Sequence, residues 1–195
     1  MIKLVNVNCP GCGAPLNELQ TECAFCRRPI ILKQADAQEL KPPELNKHII
    51  VYRKILSDNP DSREVNNSVA LCFLNLKMYD KALEAFEKCM EDNFDNSETF
   101  FYAAVCLLRG RKPFLCDRKT IDKIIEYISA ANMIEPRGLY YYYAAYIKQD
   151  YFARKHFAVS PDFAQELSTA QNYGYSPADA QKLFDMLGQP KPEGF

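Results

Sequence analysis

Tryptophan is absent from this chain of 195 residues, and histidine occurs only twice. The sequence also lacks a phosphate-binding loop, a dinucleotide-binding fingerprint and the nucleophile elbow of hydrolases. Neither His48 nor His156 has a plausible Cys or Ser nucleophile close to it in sequence. These absences predict a protein that is not an enzyme and has no small-molecule substrate.

Long apolar runs are also missing. No stretch approaches the roughly 18 residues that a membrane-spanning helix needs. Segment 1–9 has one positive charge and no small-residue cleavage site, so we expect no signal peptide. Without export, the eight cysteines fit metal binding and burial better than disulfides, and we expect a cytoplasmic protein.

Neither sign of charge is in excess. The chain has 24 Lys and Arg against 25 Asp and Glu, a formal net charge of -1. We therefore expect no whole-molecule attraction to nucleic acid or to an anionic membrane. Any electrostatic binding site must be local.

The strongest motif lies at the N-terminus, where Cys9 and Cys12 form one Cys-x2-Cys pair and Cys23 and Cys26 form another. Two residues between thiolates allow a tight turn to direct both sulfurs at one ion. Three alternatives are two disulfides, a rubredoxin-like iron site and a structural zinc ion. We favour zinc, because the compartment disfavours disulfides and the ten-residue spacer is short for the iron fold. Four cysteines leave no open position for water or substrate, so this metal would not catalyse.

This segment resembles the short zinc ribbons that begin with Cys-Pro-x-Cys-Gly in many bacterial proteins, over about residues 7–32. The resemblance implies a small β zinc ribbon, which we assign to residues 1–33. Gly11 and Gly13 provide the backbone freedom that the first turn requires. A polar stretch, 34–42, is predicted to be a linker.

The rest of the chain is predicted to be helical and contains an internal repeat. Residues 69–74 align with 103–108 at an offset of 34, and 100–104 align with 141–145 at an offset of 41. A trio of apolar residues spaced by four and three recurs in the intervening helices. The three trios are Ala82, Phe86 and Cys89; Ile124, Ile128 and Ala131; and Phe163, Leu167 and Ala170.

These features resemble the tetratricopeptide repeat (TPR), a helix-turn-helix unit of 34 residues, with the best match at 63–95 and later units degenerate. The predicted fold class is mainly α: a TPR-like stack of about seven to eight helices over residues 43–188, preceded by the β ribbon. A final helix, 177–187, would cap the stack, and 189–195 would form a flexible tail.

Two serines, Ser160 and Ser176, each precede a proline and are predicted to cap the helices that follow. Asp179 would complete a capping box with Ser176. The cysteines outside the ribbon are predicted to be buried packing residues, although Cys116, in a basic loop, would be reactive if its pKa were lowered.

The resemblance implies a concave groove lined by the first helix of each repeat. Its predicted residues are aromatic and aliphatic and suit an amphipathic helix or a short apolar peptide. They are Asn67, Leu71, Leu74, Phe101, Val105, Leu108, Tyr142, Tyr146 and Gln149. The alternative is that the final helix fills the groove and these side chains belong to the core.

Basic residues concentrate in the two insertions that lengthen the repeats, 109–119 and 150–159, which would lie on one edge of the stack. This predicted basic rim consists of Arg109, Arg111, Lys112, Arg118, Lys119, Arg154 and Lys155. Phe114, Tyr151 and Phe152 interleave with it, which suits an acidic partner or single-stranded nucleic acid. The alternative is an ordinary solvated loop.

The sequence thus favours a non-enzymatic adaptor that docks a protein partner and holds a structural zinc ion. The main alternative is a nucleic-acid-binding accessory protein that uses the ribbon and the basic rim together. A subunit that pairs its apolar faces in a homo-oligomer is a third hypothesis.

Overall fold

The structure, a computed structural model, describes residues 2–91, 95–193 and 195. It is mainly helical, with a small antiparallel sheet at the N-terminus, as predicted. The two strands are β1 (Lys3–Asn8) and β2 (Pro15–Glu18). The helices are α1 (Gln34–Glu39), α2 (Pro42–Asp58), α3 (Arg63–Asn75), α4 (Tyr79–Met90), α5 (Ser97–Leu107), α6 (Arg118–Ile134), α7 (Gly138–Ile147), α8 (Phe163–Tyr173) and α9 (Pro177–Leu187).

The described residues therefore form nine α-helices, where the sequence predicted seven to eight. The additional helix, α1, lies in the stretch predicted to be a linker. Its first turn is closed by the Asp36 carboxylate, which accepts a hydrogen bond of 3.0 Å from the backbone N–H of Lys33. Composition alone suggested a loop here, but this local bond satisfies a backbone donor that a helix start otherwise leaves unpaired.

Contacts divide the chain into two compact units, unit one (Met1–Cys89) and unit two (Met90–Phe195). Unit one contains the sheet and helices α1 to α3, with all of α4 except its last residue. Unit two contains α5 to α9. The prediction that a separate ribbon domain ends at residue 33 remains a prediction.

In unit one, β1 and β2 pair in a register that sets Val7 opposite Leu16 and Lys3 opposite Glu18. Leu4, Val7 and Leu16 of the sheet are buried, as are Ile30 and Leu32 from the segment that follows, whereas Val5 is exposed. Helix α2 packs against both β1 and α3. The N-terminal segment thus shares its core with the first helices of the chain.

Unit two is built from two helical hairpins, α5 with α6 and α7 with α8, and α6 also packs on α7. Its centre is aromatic: the ring of Phe101 stacks on Tyr140 at 4.6 Å and meets Tyr143 edge-on at 5.8 Å. The Tyr143 hydroxyl donates a 3.1 Å hydrogen bond to the carbonyl oxygen of Ala104, joining α7 to α5. Helix α9 lies against α5 and α7.

The trios predicted from the repeat are buried in α4 and α6, where every member is at most 8% exposed. Of the trio in α8, only Ala170 is buried, while Phe163 and Leu167 are half-buried. The last repeat therefore keeps the geometry of a hairpin with a weaker apolar face.

Side-chain hydrogen bonds determine where the last two helices, α8 and α9, begin. The Ser176 hydroxyl accepts a bond of 3.1 Å from the Asp179 N–H, which confirms the predicted capping box of α9. The predicted cap at Ser160 is wrong. Helix α8 begins two residues later, because Asp162 and Gln165 satisfy each other's backbone N–H groups in a capping box of their own.

Among the described helices, none combines the length and the apolar character that crossing a bilayer requires.

Candidate metal centre and interaction surfaces

The two cysteine pairs lie on two turns of matching backbone geometry. In the first turn, the Gly13 N–H donates to the Cys9 carbonyl at 2.9 Å; in the second, the Arg27 N–H donates to the Cys23 carbonyl at 2.9 Å. Gly13 and Arg27 both have positive φ, 78° and 58°. The residue after each second cysteine therefore reverses the chain, which turns both thiols of a pair to the same side.

The four thiols converge on one point. All four sulfur atoms lie within 4.8 Å of one another, with Cys9 to Cys26 at 3.7 Å and Cys12 to Cys23 at 3.8 Å. Zinc–sulfur bonds of about 2.3 Å in a tetrahedron put the sulfurs about 3.8 Å apart, whereas a disulfide needs about 2.05 Å. The spacing therefore suits a tetrahedral metal ion, and the four cysteines are free thiols without a disulfide.

The surroundings of the cluster shift the pKa values of Cys23 and Cys9 in opposite directions. Hydrogen bonds from the backbone N–H groups of Cys26 and Phe25 lower the pKa of Cys23 to about 6. Burial raises the pKa of Cys9 to about 12. A cation at the centre would supply the positive charge that a buried thiolate at Cys9 needs, and a set of four soft sulfur donors selects a metal such as zinc.

The segment that carries these turns is fixed to α2 and α3 by buried polar contacts. The Tyr52 hydroxyl donates a hydrogen bond to the Ile30 carbonyl and is 3.1 Å from Nδ1 of His48. The Ser68 hydroxyl accepts a 3.0 Å bond from the Leu32 N–H. His48 is 5% exposed, and burial lowers its pKa to about 4.

The predicted groove residues are mostly buried. Asn67 and Gln149 are half-buried, and the other seven are at most 2% exposed. Three of the nine, Asn67, Leu71 and Leu74, belong to α3 in unit one. Beside them, Asn75 donates a 3.2 Å hydrogen bond to Gln34 of α1, the helix that the sequence did not predict.

In unit two, the groove positions on α7 are covered by the C-terminal part of the chain. The Tyr142 ring lies 4.7 Å from Tyr175 and 5.3 Å from Phe195, and Tyr146 lies 5.0 Å from Phe184. The segment predicted to be a flexible tail thus contributes a ring to this cluster. Burial raises the pKa of Tyr142 to about 12.

The two tyrosine hydroxyls in this cluster differ in their hydrogen bonding. Tyr146 donates a 2.7 Å hydrogen bond to the side chain of Gln189, whose amide in turn donates to the Arg111 carbonyl at 2.6 Å. The Tyr142 hydroxyl is buried and has no hydrogen-bond partner within the described ranges 2–91, 95–193 and 195. An unpaired buried hydroxyl costs about 1–3 kcal/mol, which makes this position unusual in a packed core.

The two basic insertions meet in the structure. The Phe114 N–H, in a short 3-10 turn, donates a 2.8 Å hydrogen bond to the Asp150 carboxylate, in a π-helical turn that spans Lys148–Ala153. Arg154 lies 4.3 Å and Lys155 5.1 Å from the Phe114 ring centre. Together with Arg118, which lies 5.2 Å from the Phe152 ring centre, these two residues place three cations of the predicted basic rim on aromatic rings.

Cys116, in the first of these insertions, is buried at 4% exposure. Burial raises its pKa, so the hypothesis of a reactive thiol with a lowered pKa is wrong. Although Arg111 and Lys155 act in the opposite direction, desolvation of the thiolate outweighs them.

Sequence reasoning missed a buried ion pair in unit two. Lys148 donates to the Glu166 carboxylate at 2.5 Å and to the Pro161 carbonyl at 2.8 Å, and neither side chain is more than 11% exposed. The pair lines a cavity of about 290 Å³ beside α6. The two residues are 18 positions apart on different helices, so no local pattern could have indicated their contact.

Comparison with known proteins yields structural neighbours only. No protein-family model matches the sequence, and no curated protein matches it. The solved structure of YrrB, "a TPR protein with an unusual peptide-binding site", aligns at 17% identity over 79% of this chain and 89% of that chain. Its TM-score is 0.36, a value from which we infer nothing.

Two solved structures of MamA, a TPR protein, are more similar. MamA MSR-1 aligns at 17% identity with a TM-score of 0.54, over 73% of this chain and 77% of that chain. MamA AMB-1 aligns at 17% identity with a TM-score of 0.53, over 73% of this chain and 79% of that chain. This likeness, together with the helical hairpins of the chain, shows that its fold is TPR-like.

Proposed function

We propose that this protein is a non-enzymatic adaptor that docks a protein partner through the α7 groove, and that its four N-terminal cysteines hold a structural zinc ion. The α7 groove is the surface around Tyr142 and Tyr146 that α9, Gln189 and Phe195 cover. The ligand class is a short segment with an aromatic side chain. The cysteine usage of the chain further favours a reducing compartment, the cytoplasm.

The observation that carries this proposal is the unpaired hydroxyl of Tyr142 beneath the ring of Phe195. In an ordinary core such a hydroxyl would have a partner. Its neighbour Tyr146 donates to the side chain of Gln189, which lies outside any helix. Gln189 and Phe195 thus leave the Tyr142 hydroxyl unpaired, whereas a partner segment that brings an aromatic ring and a hydrogen-bond acceptor would satisfy it.

The zinc ion belongs to the proposal as a structural element. Four thiols at tetrahedral spacing complete the coordination of zinc, which leaves no position for a water or a substrate carbonyl. Cys9, Cys12, Cys23 and Cys26 would hold the ion, and its binding energy would stabilise a sheet of only two strands. This role is consistent with a scaffold rather than with a catalyst.

A variant that ends at Gly188 tests the groove. With the covering segment removed, it should bind a fluorescein-labelled peptide of sequence 189–195 and should select aromatic peptides from a displayed library. The intact chain should bind the same peptide about tenfold more weakly or worse, because its own segment competes at high effective concentration.

Matched tyrosines on α7 provide the control. Tyr142→Leu should abolish peptide binding to the shortened chain, whereas Tyr141→Leu should not, because Tyr141 stacks on Tyr173 away from the groove. If the shortened chain bound no peptide, or if both variants lost binding equally, docking in the α7 groove would be wrong. The nucleic-acid alternative has no observation in its favour at this site.

A further inference from the structure

The two basic insertions form a second, separate surface, which we call the cation–aromatic face and define as residues 109–119 and 150–157. We propose that this face docks an acidic peptide segment that carries an exposed apolar side chain. The proposal does not depend on the α7 groove. It rests on how the face is held together, on its charge and on its exposed apolar atoms.

The face is rigidly assembled. Asp150 accepts the Phe114 N–H at 2.8 Å and forms a 2.6 Å ion pair with Arg154, so one carboxylate joins both insertions. The side chain of Asp150 is 12% exposed, which limits competition from water. A surface fixed in this way loses little conformational entropy when a partner binds.

Aromatic rings hold the cations in place. Arg154 and Lys155 both lie over Phe114, Lys155 is also 4.0 Å from the Tyr151 ring centre, and Arg118 is 5.2 Å from that of Phe152. Such contacts leave the polar edge of each cation available while the ring restrains its stem. Three cations of the face, Arg118, Arg154 and Lys155, are therefore held in place.

The local charge is strongly positive. The two insertions contain seven Lys and Arg against two Asp, an excess of five in a protein whose net charge is -1. Arg154 pairs with Asp150 and Arg118 with Asp122. Lys112 and Lys119 are exposed and form no ion pair with any residue in the described part of the chain. An acidic partner would complement this excess.

Two apolar side chains stand among these charges. Leu115 is 67% exposed and Phe157 is 49% exposed. Burying one such side chain contributes more binding free energy than an exposed ion pair provides. A partner that matches the whole face therefore has an apolar side chain between acidic residues, which a peptide supplies and a simple anion does not.

The same geometry disfavours single-stranded nucleic acid. Base stacking needs open aromatic faces. Here Tyr151 and Phe152 are at most 4% exposed, and the Phe114 ring already has two cations over it. The cations occupy the positions that bases would take, so a peptide is the better occupant.

Fluorescence anisotropy with defined probes tests the proposal on the full chain. The main probe is a labelled peptide of Asp and Glu residues around a central Leu-Phe pair. A second peptide replaces that pair with Ser-Ser, and a thymidine oligonucleotide of the same length represents nucleic acid. We expect the first peptide to bind about tenfold more tightly than the second, because only it buries Leu115.

Two exposed lysines give a matched pair of charge reversals. Lys112→Glu should weaken binding of the first peptide about fivefold or more, and Lys182→Glu, on the exposed side of α9, should change it less than about twofold. Leu115→Ser should remove the preference for the Leu-Phe peptide while the Ser-Ser peptide binds as before. Tyr142→Leu should leave all three probes unaffected, which separates this face from the α7 groove.

Equal effects of Lys112→Glu and Lys182→Glu would indicate unspecific attraction and overturn the proposal. So would an oligonucleotide that binds as tightly as the Leu-Phe peptide and depends on the same residues, since the face would then bind nucleic acid. Absence of binding by every probe at low salt would also overturn it.

Discussion

At the residue scale, Gly138 illustrates how closely two helices can approach. A Cβ atom at this first residue of α7 would lie 2.2 Å from the Gly174 carbonyl oxygen and 2.7 Å from that of Ala170. Both atoms belong to the backbone at the end of α8, so neither can move without shifting a helix. The glycine is needed for space rather than for an unusual backbone angle.

Gly138→Ala should therefore destabilise unit two by about 1–3 kcal/mol, because the added methyl group pushes α7 and α8 apart. Urea unfolding followed by circular dichroism would measure the change. Gly11→Ala is the control: the prediction that the first turn requires its backbone freedom is wrong, since Gly11 lacks a positive φ, and its Cβ meets only the flexible Arg28 side chain, so the change should cost little. Equal costs at both positions would contradict the close approach as the cause.

His48 is a second residue whose environment has a measurable consequence. Burial lowers its pKa to about 4, whereas a histidine in an unfolded chain titrates near about 6.5. The unfolded chain thus takes up the proton first as the pH falls. The stability contributed by neutral His48 is complete above about pH 6.5 and is lost as the pH falls through that window towards 4.

His48→Gln retains a hydrogen-bonding group for Tyr52 and cannot titrate. Between about pH 7 and pH 4.5, the native chain should lose on the order of 1–3 kcal/mol more stability than this variant. Urea midpoints of the two chains at each pH give the difference in their free energies of unfolding. The contributions of the other acid-sensitive groups, including the cysteines, are the same in both chains and cancel in this difference. Parallel pH profiles would show that His48 does not titrate on unfolding.

At the element scale, α7 and α8 are joined by the buried pair of Lys148 and Glu166. Desolvation makes such a pair a poor source of net stability, but removing one partner leaves a buried charge uncompensated. The π-helical turn that begins at Lys148 lets the lysine reach both Glu166 and the Pro161 carbonyl. The pair therefore specifies how the last hairpin closes.

Glu166→Gln should destabilise unit two by about 3–5 kcal/mol, whereas Lys148→Met combined with Glu166→Leu should be close to neutral. Glu126→Gln is the control, because its 3.4 Å pair with Lys123 is exposed and contributes less than about 1 kcal/mol. Thermal unfolding compares the variants. If the two single substitutions had similar effects, the buried pair would not carry the specificity assigned to it.

At the scale of the whole molecule, the N-terminal sheet depends on two supports. One is the proposed metal ion, and the other is the polar contact of Ile30 and Leu32 with Tyr52 and Ser68. The apolar core of this segment is small, so the contacts alone should not keep it folded.

A strong chelator should therefore remove about one zinc ion per chain and unfold residues 2–32, with loss of hydrogen-exchange protection there and in the part of α2 that packs on β1. The hairpins of unit two should keep their protection. Cys12→Ser should abolish zinc binding and reproduce this effect. Cys72→Ala, which alters a buried cysteine outside the cluster, should keep the metal. Unchanged protection after metal removal would contradict the structural role.

Local chemistry let the sequence determine much of this protein. The Cys-x2-Cys spacing identified the four candidate ligands, because it directs the two thiols of each pair to the same side. Helix α9 was predicted at its observed bounds, since Ser176 and Asp179 close one end and Gly188, with a left-handed backbone, closes the other. The TPR-like fold followed from the repeat of small and apolar residues, which sets the packing face of each helix.

Only the tertiary structure decided what covers those faces. The sequence assigned Tyr142 and Tyr146 to a groove, but their burial under Phe184 and Phe195 depends on contacts between distant segments. A pKa lowered by the basic residues around it was the alternative hypothesis for Cys116, but burial raises this pKa, and only the packed structure shows how far burial outweighs the neighbouring charges. The sequence specifies short-range hydrogen bonds and periodicity, whereas desolvation and long-range contact arise only when the helices pack.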